Sequence, residues 1–349
     1  MSRRAAALFL AAAAATPAEK PPAPACGVAL NLPSSATSAQ RTEAIETVRR
    51  TGAVFFELSL SWAAAEPAPG RYALDDLART ARLLRQSGAT LQLDLFLVTE
   101  AARDVPADLS GAAFDDPRLS QRLGNLLDAL APALLDFQTL SLGEAADAYF
   151  AARPQELAAY RRLFDGAVQY LKTRAPHLLV GVATLAPTES PAPEVAAELH
   201  RRSPLLLYIY CPFEAGKPFQ HRPPDALEKD WTDLLKTAAG RPIAFPVVSY
   251  SSAAENGSSP ERQAEFVTRM RRFLARADGR RLLFARWVDL RDAAPGGGAA
   301  DADAGAGAGA GAGAVVIREK NRAEFLAHRG LQAYSGAPKP AWRAWAKAP

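Results

Sequence analysis

The chain has 349 residues, of which 49% are hydrophobic and 22% are charged, a balance that supports a large folded core. Its net charge is +4, and two of the positive charges, Arg3 and Arg4, lie at the extreme N-terminus. The sequence has no basic stripe interleaved with aromatic residues, which argues against a nucleic-acid partner.

Residues 1–26 are predicted to be a leader followed by a Pro-rich spacer. Two arginines precede the apolar run Ala5–Ala15, which is too short to span a membrane, and small residues around Thr16 could supply a cleavage site. The pattern predicts export to the periplasm or the extracellular space. A disordered Ala/Pro leader and a misplaced start codon are the alternatives.

The chain has only two cysteines, Cys26 and Cys211. Cys26 follows small residues and is a candidate for a lipid anchor. A Cys26–Cys211 disulfide and a pair of buried free thiols are both compatible with the sequence.

After residue 26, apolar runs alternate with stretches of helical periodicity. Eight runs have the length and composition of buried strands. These are Gly27–Leu32, Val54–Ser61, Thr90–Val98, Thr139–Gly143, Leu178–Ala183, Leu205–Tyr210, Ile243–Tyr250 and Leu282–Val288.

Seven amphipathic stretches between the strands are predicted to be helices. They are Ser38–Thr51, Leu74–Ser87, Leu119–Leu135, Gln155–Arg174, Pro193–Arg202, Pro224–Ala239 and Pro260–Ala277. Asp75 and Asp76 indicate one helix start, and Ser259 before Pro260 indicates another.

Eight strands that alternate with helices predict a single-domain (β/α)8 TIM barrel over residues 27–349. A doubly wound open sheet is the alternative, but no Gly-rich phosphate turn follows the first strand. Residues 295–314 form a low-complexity Gly/Ala insert, predicted to be a flexible loop after strand eight.

Five short stretches fall in order at the ends of strands two, four, six and seven and at the C-terminus. They are Trp62-Ala-Ala-Ala-Glu66-Pro67-Ala-Pro-Gly70-Arg-Tyr72, Ser141-Leu-Gly143-Glu144-Ala145-Ala146-Asp147, Tyr208-Ile-Tyr210-Cys-Pro212, Pro246-Val247-Val248-Ser249-Tyr250 through to Gln263, and Gly330-Leu331 through to Trp342. Together they resemble the framework motifs of clan A glycoside hydrolases, the retaining (β/α)8 family that includes cellulases, galactanases and β-galactosidases.

The resemblance implies a sugar cleft at the C-terminal ends of the strands, but its two catalytic carboxylates are missing. Retaining hydrolysis needs two carboxyl groups roughly 5 Å apart. The family's acid/base position falls on Ala145 and its nucleophile position on Val247. Glu144, one residue early, is the remaining catalytic candidate, and a local bulge would be needed to turn it toward the cleft.

The resemblance and the strand ends also give candidate substrate-binding residues. These are Asn31, Trp62, Asp147, Tyr210, Tyr250 and Trp287. The four histidines are scattered without metal-ligand spacing, so the sequence predicts no metal site, and no motif for a cofactor is present.

Three functions fit the sequence. The first is an exported, glycosidase-like barrel that has lost hydrolysis and at most binds a poly- or oligosaccharide. The second is an active glycosidase with Glu144 as the acid, assisted by Glu57, Asp94 or Asp289. The third is a structural protein of the cell envelope, whose cleft would be filled by bulky side chains.

Overall fold

The computed structural model describes residues 22–30, 32, 36–294 and 312–347, with the backbone alone for 312–318. The leader, Asn31 and most of the Gly/Ala insert lie outside this range. The strands are β1 Ala25–Val28, β2 Phe55–Ser61, β3 Thr90–Phe96, β4 Thr139–Ser141, β5 Leu179–Leu185, β6 Leu205–Tyr210, β7 Phe213–Glu214, β8 Lys217–His221, β9 Ile243–Val248 and β10 Leu282–Trp287.

Eight of these strands close a parallel barrel in the order β1-β10-β9-β6-β5-β4-β3-β2. The predicted (β/α)8 barrel is confirmed, and each of the eight predicted strands is present. The remaining two strands, β7 and β8, form an antiparallel hairpin after β6 that the sequence analysis did not predict.

The helices surround the barrel. They are α1 Ser38–Arg49, α2 Trp62–Ala65, α3 Asp75–Gln86, α4 Pro117–Leu134, α5 Ala146–Ala152, α6 Pro154–Arg174, α7 Pro193–His200, α8 Ala226–Thr237, α9 Pro260–Arg276, α10 Ala312–Ala327 and α11 Pro340–Lys347. The seven predicted helices are confirmed, whereas α2, α5, α10 and α11 were missed.

Helix starts follow the local sequence rules. The Ser259 hydroxyl accepts a hydrogen bond from the Arg262 amide at 3.2 Å, with Pro260 in the first turn of α9. The N-terminus of α10 corrects one expectation, because Ala312 lies inside the stretch predicted to be a loop. No helix in the described residues is long and apolar enough to cross a membrane.

Strand alternation divides the core into a barrel interior and a layer beneath the helices. The base of the interior is apolar, and its Phe55 and Phe284 rings stack with centroids 3.8 Å apart. On β6, Leu205 and Leu207 face this interior, while Leu206 and Tyr208 pack in the layer beneath the outer helices. The side chains of each strand therefore alternate between the barrel interior and the layer beneath the helices.

Two of the framework motifs have structural roles. Glu66 is buried and accepts hydrogen bonds from the Trp62 indole at 3.0 Å, the Gly70 amide at 2.8 Å and the Arg122 guanidinium at 2.8 Å. This pattern explains the Trp–Glu–Gly spacing, because one carboxylate holds the turn after β2 closed. In the C-terminal motif, Lys339 forms an ion pair with Asp292 at 2.9 Å.

Candidate active site

A layer of polar side chains lies above the apolar base of the barrel interior. The Arg286 guanidinium on β10 forms an ion pair with Glu57 on β2, and both side chains are at most 12% exposed. The Gln92 side-chain amide donates to Glu57 at 3.2 Å, and the Thr139 hydroxyl donates to Gln92 at 3.2 Å. This layer connects β10, β2, β3 and β4, and it satisfies most of the polar groups it buries.

Asp94 lies one step further toward the mouth, since it pairs in register with Ser141 on β4. Its side chain is buried, and its Oδ1 atom has no hydrogen-bond partner among the described residues. Burial raises the pKa of Asp94 well above its usual range, and the negative charges of Glu57 and Glu144 add to this rise. Both causes favour the protonated form of Asp94.

Glu144 sits at the edge of this polar layer and is only partly buried. Burial raises its pKa to about 7, the negative charges of Glu57 and Glu100 act in the same direction, and Arg286 and Arg329 oppose them. A carboxyl group with a pKa near 7 can act as a general acid at neutral pH. Glu144 thus has the protonation behaviour that its predicted role requires.

The backbone around Glu144 is a turn and not a strand, because β4 ends at Ser141. Gly143 has a φ of 130° and Ala145 a φ of 47°, and positive φ is uncommon for a residue with a side chain. The Glu144 amide donates to the Val98 carbonyl at 3.0 Å. Glu144 therefore lies outside the strand, and strand alternation does not fix the direction of its side chain. The bulge that the sequence analysis required is not needed within β4.

The barrel mouth is closed by hydrophobic residues. Ala145 joins Ile209, Cys211 and Phe325 in a buried cluster, and Val247 packs against it from β9. We call these five residues the mouth cluster. The two positions that the resemblance assigns to catalytic carboxylates therefore belong to one apolar group.

Helix α10 supplies the lid of the mouth cluster. Phe325 is 4% exposed, and its ring lies 5.1 Å from Phe213 and 5.8 Å from Phe219, both on the β7–β8 hairpin. The Asn256 side-chain amide donates to the Asn321 carbonyl at 2.8 Å, which anchors α10 over the end of β9. Residues from two missed elements, α10 and the hairpin, thus cover the site.

Two of the predicted sugar-binding residues point away from the mouth. Tyr210 and Trp287 are fully buried in the layer between the barrel and its outer helices. Tyr210 donates its hydroxyl to Asp230 at 2.8 Å, and the Trp287 indole donates to the Arg329 carbonyl at 3.0 Å. Strand alternation explains this placement, because their neighbours Ile209 and Arg286 take the inward positions.

The other described candidates also serve the fold. Trp62 is fully buried and bonded to Glu66, and Tyr250 is fully buried and stacks on His221 at 4.0 Å. Asp147 is fully buried and accepts from the Leu185 amide at 2.9 Å and from the Ser190 hydroxyl. Sugar binding by any of these residues stays a prediction that the packing does not favour.

The remaining acids named from the sequence are also engaged. Glu57 is paired with Arg286, and Asp289 is paired with Arg329. No cluster of three or more His, Cys, Asp or Glu side chains among the described residues could hold a metal ion.

The sequence analysis did not single out Glu189, which is a further buried acid. Glu189, in the loop after β5, accepts from the Cys211 amide at 2.9 Å and lies 3.8 Å from the Arg222 guanidinium. Burial raises the pKa of Glu189 to about 8. Nothing in the sequence distinguishes this loop glutamate from a solvated one, because its burial depends on the hairpin and α8.

The two cysteines are free and buried, so the disulfide alternative is wrong in this structure. Cys26 lies within β1, with its sulfur 2.6 Å from an Arg271 guanidinium nitrogen. Lipidation would require the Cys26 thiol to leave the barrel wall. The packing therefore argues against a lipid anchor at Cys26.

Comparison with known proteins shows the fold of clan A glycoside hydrolases. A GH5_18 protein from Streptomyces cattleya, solved with GlcNAc, aligns with a TM-score of 0.68 at 17% identity over 94% of this chain and 80% of its own. A GH5_18 protein from Bifidobacterium longum subsp. longum gives 0.63 at 14% over 93% and 78%. An exo-β-1,4-mannosidase from Opitutaceae bacterium strain TAV5 gives 0.62 at 15% over 93% and 58%. No protein-family model and no curated protein matches the sequence.

Proposed function

We propose that this chain is a glycoside-hydrolase-fold protein that no longer cleaves glycosidic bonds by the two-carboxylate mechanism. The observation that carries the proposal is the mouth cluster, which places Ala145 and Val247 in one apolar group under Phe325. Neither side chain has a lone pair to attack an anomeric carbon or a proton to give to a leaving group.

The surroundings of the mouth cluster support the same conclusion. An ionised carboxylate placed there would lose its hydration without gaining a partner, which is strongly unfavourable. Charged groups around the cluster are already engaged, because Glu189 accepts from the Cys211 amide, Arg286 is paired with Glu57 and Arg329 is paired with Asp289. The geometry thus favours a dry, packed mouth over a water-filled catalytic cleft.

A carbohydrate remains the ligand class to test first, because structures of the same fold hold GlcNAc and Manβ1-4GlcNAc. Glu144 is partly buried and the neighbouring Glu100 is exposed, so both could accept hydrogen bonds from sugar hydroxyls.

The test combines turnover and binding. The wild-type protein and Glu144→Gln are incubated with β-linked manno-, gluco- and galacto-oligosaccharides, and binding of the same sugars and of Manβ1-4GlcNAc is measured by titration calorimetry. We expect no turnover by either protein, and any binding to weaken in Glu144→Gln. Turnover by the wild type that disappears in Glu144→Gln would overturn the proposal. Absence of both turnover and binding would favour a structural role in the cell envelope, which a filled mouth also fits.

One observation favours the active enzyme as a second candidate, namely the pKa of about 7 of Glu144. An enzyme with Glu144 as general acid would lose activity as the pH rises above about 7, because the acid would give up its proton to solvent. Its second carboxylate is the difficulty, since Glu57 and Asp289 are paired with arginines and Asp94 is buried with a raised pKa.

We also propose export, on the basis of the N-terminal leader alone. The full chain and a Leu8→Arg variant, which interrupts the apolar run, are expressed in a bacterium and fractionated. We expect the wild type outside the cytoplasm with its leader removed, and the variant retained inside with the leader intact. A Cys26→Ser variant tests the lipid anchor, and loss of membrane association in that variant would establish it.

A further inference from the structure

A surface groove of about 500 Å3 runs between α8 and α9 down to the loop before β10. Because the helices run antiparallel to the strands, this loop lies at the end of the barrel opposite the mouth. The floor of the groove is apolar and consists of Leu235, Phe273 and Ala277. The Phe273 ring packs edge-on against the buried Trp231 at 5.4 Å, which holds the floor in place.

Four arginines line this groove, and they differ in how their charges are balanced. Arg269 is neutralised by Glu228 and Glu265, each at 2.9 Å. The Arg281 guanidinium donates to the Leu235 carbonyl, which carries no charge. Within the described part of the chain, the exposed Arg272 and Arg276 form no ion pair or hydrogen bond.

The two acids of the groove do not balance this charge. Glu228 is held by Arg269, and Asp278 is paired with Arg280 at 3.2 Å. Arg272, Arg276 and Arg281 surround one apolar floor with three positive charges, and the excess negative charge of the Arg269–Glu228–Glu265 group reduces the net charge to +2.

A second groove, of about 410 Å3 between α6 and α7, provides an internal comparison. It is also lined by four arginines, but each of them has a carboxylate partner. The pairs are Arg161–Glu198, Arg162–Asp115, Arg201–Glu198 and Arg202–Asp165. These four arginines share three carboxylates, so the second groove has a net charge of +1, but each arginine has an ion-pair partner. In the groove between α8 and α9, Arg272 and Arg276 have no such partner among the described residues.

We propose that the groove between α8 and α9 binds a small organic anion that joins a phosphate or carboxylate to a flat apolar body. Arg272 and Arg276 are one helical turn apart, about 6 Å along the axis, so both can reach one multivalent acidic group. A guanidinium binds the oxygens of such a group in a bidentate manner. The apolar body would lie on Phe273, and the groove volume is in the range of small-molecule sites.

The site is distant from the barrel mouth, so the proposal is independent of whether the protein binds or cleaves sugars. The positions of the arginines on the outer surface also make both of them easy to replace without disturbing the core.

The experiment measures binding of phenyl phosphate, inorganic phosphate and phenol by calorimetry in low-salt buffer. It compares the wild type with Arg272→Gln/Arg276→Gln and with a matched control, Arg201→Gln/Arg202→Gln, which removes the same charge from the second groove. We expect phenyl phosphate to bind more tightly than either phosphate or phenol. The first double variant should lose at least tenfold in affinity, and the control should retain it.

Thermal unfolding of all three proteins accompanies the titrations. We expect Arg272→Gln/Arg276→Gln to unfold at the wild-type temperature or above, because two like charges one turn apart are removed. The proposal is overturned if phenyl phosphate does not bind, if both double variants weaken binding equally, or if the first double variant lowers stability while binding is unchanged.

Discussion

Replacing Phe325 by alanine removes the side chain that closes the barrel mouth. The ring is 4% exposed and lies against Phe213, Phe219 and His221. Truncation of a buried phenylalanine costs about 3–5 kcal/mol. We expect a loss of about 3 kcal/mol in the free energy of unfolding, at the lower end of this range, because α10 can shift to fill part of the space.

The expected loss corresponds to a fall of roughly 5 °C in the melting temperature, from an unfolding entropy of about 2.1 cal/mol/K per residue. Differential scanning calorimetry measures this fall. Phe284→Ala is the matched control, since Phe284 is equally buried but lies at the base of the barrel against Phe55. Each variant loses one buried ring, but only the Phe325 ring belongs to α10.

Hydrogen exchange separates the two variants. In Phe325→Ala, the amides of β7, β8 and α10 should exchange faster than in the wild type, because these elements meet through the removed ring. In Phe284→Ala they should remain protected, while the barrel strands become less protected. Equal protection of the hairpin and α10 in the two variants would refute the reasoning that Phe325 holds the mouth closed.

Three further predictions follow from the buried charges and the mouth cluster. Glu57→Gln should lower the free energy of unfolding by about 3–5 kcal/mol in denaturant titrations, because it leaves the buried Arg286 unpaired; a loss below about 1 kcal/mol would contradict the burial of the pair. Because the pKa of Glu189 is about 8 when folded and near 4.5 when unfolded, its stabilising contribution is lost as the pH rises through this window. Glu189→Gln can still accept a hydrogen bond from the Cys211 amide. This variant should make the free energy of unfolding between pH 5 and 8 less dependent on pH, by about 1.4 kcal/mol per unit of raised pKa. An unchanged pH dependence would be evidence against the raised pKa. Val247→Glu should lower the melting temperature without producing glycosidase activity, and turnover in this variant would show that water and substrate reach the mouth.

The barrel could be predicted from the sequence because its signal is repeated. Eight apolar runs alternate with seven stretches of helical periodicity, and the parallel crossovers admit few topologies. The elements that were missed lack this repetition. Strand β7 is two residues long, and α10 begins at the end of a Gly/Ala repeat whose composition is typical of a loop.

The candidate site was harder to predict because it depends on orientation. Tyr210 and Trp287 lie at the C-terminal ends of their strands, as the sequence predicts. Their side chains take the outward positions of the strand alternation, however, and pack beneath the helices. Arg286, next to Trp287, takes the inward position and was not considered. The role of Glu144 stays a prediction, and its raised pKa depends on burial and on Glu57, which the sequence does not reveal.

Under the proposed function, the absence of the two carboxylates and the closure of the mouth are one structural change. A glutamate at position 145 or 247 needs water or a charged partner, whereas Phe325 needs an apolar surface, so the two cannot share the space. Once Ala145 and Val247 line the mouth, covering them with Phe325 removes apolar area from water and stabilises the fold. The same contact makes restoration of a single carboxylate unfavourable, since it would be introduced under a packed ring. Under the proposed function, a return to catalysis would require that α10 leave the mouth as well as that both acids reappear.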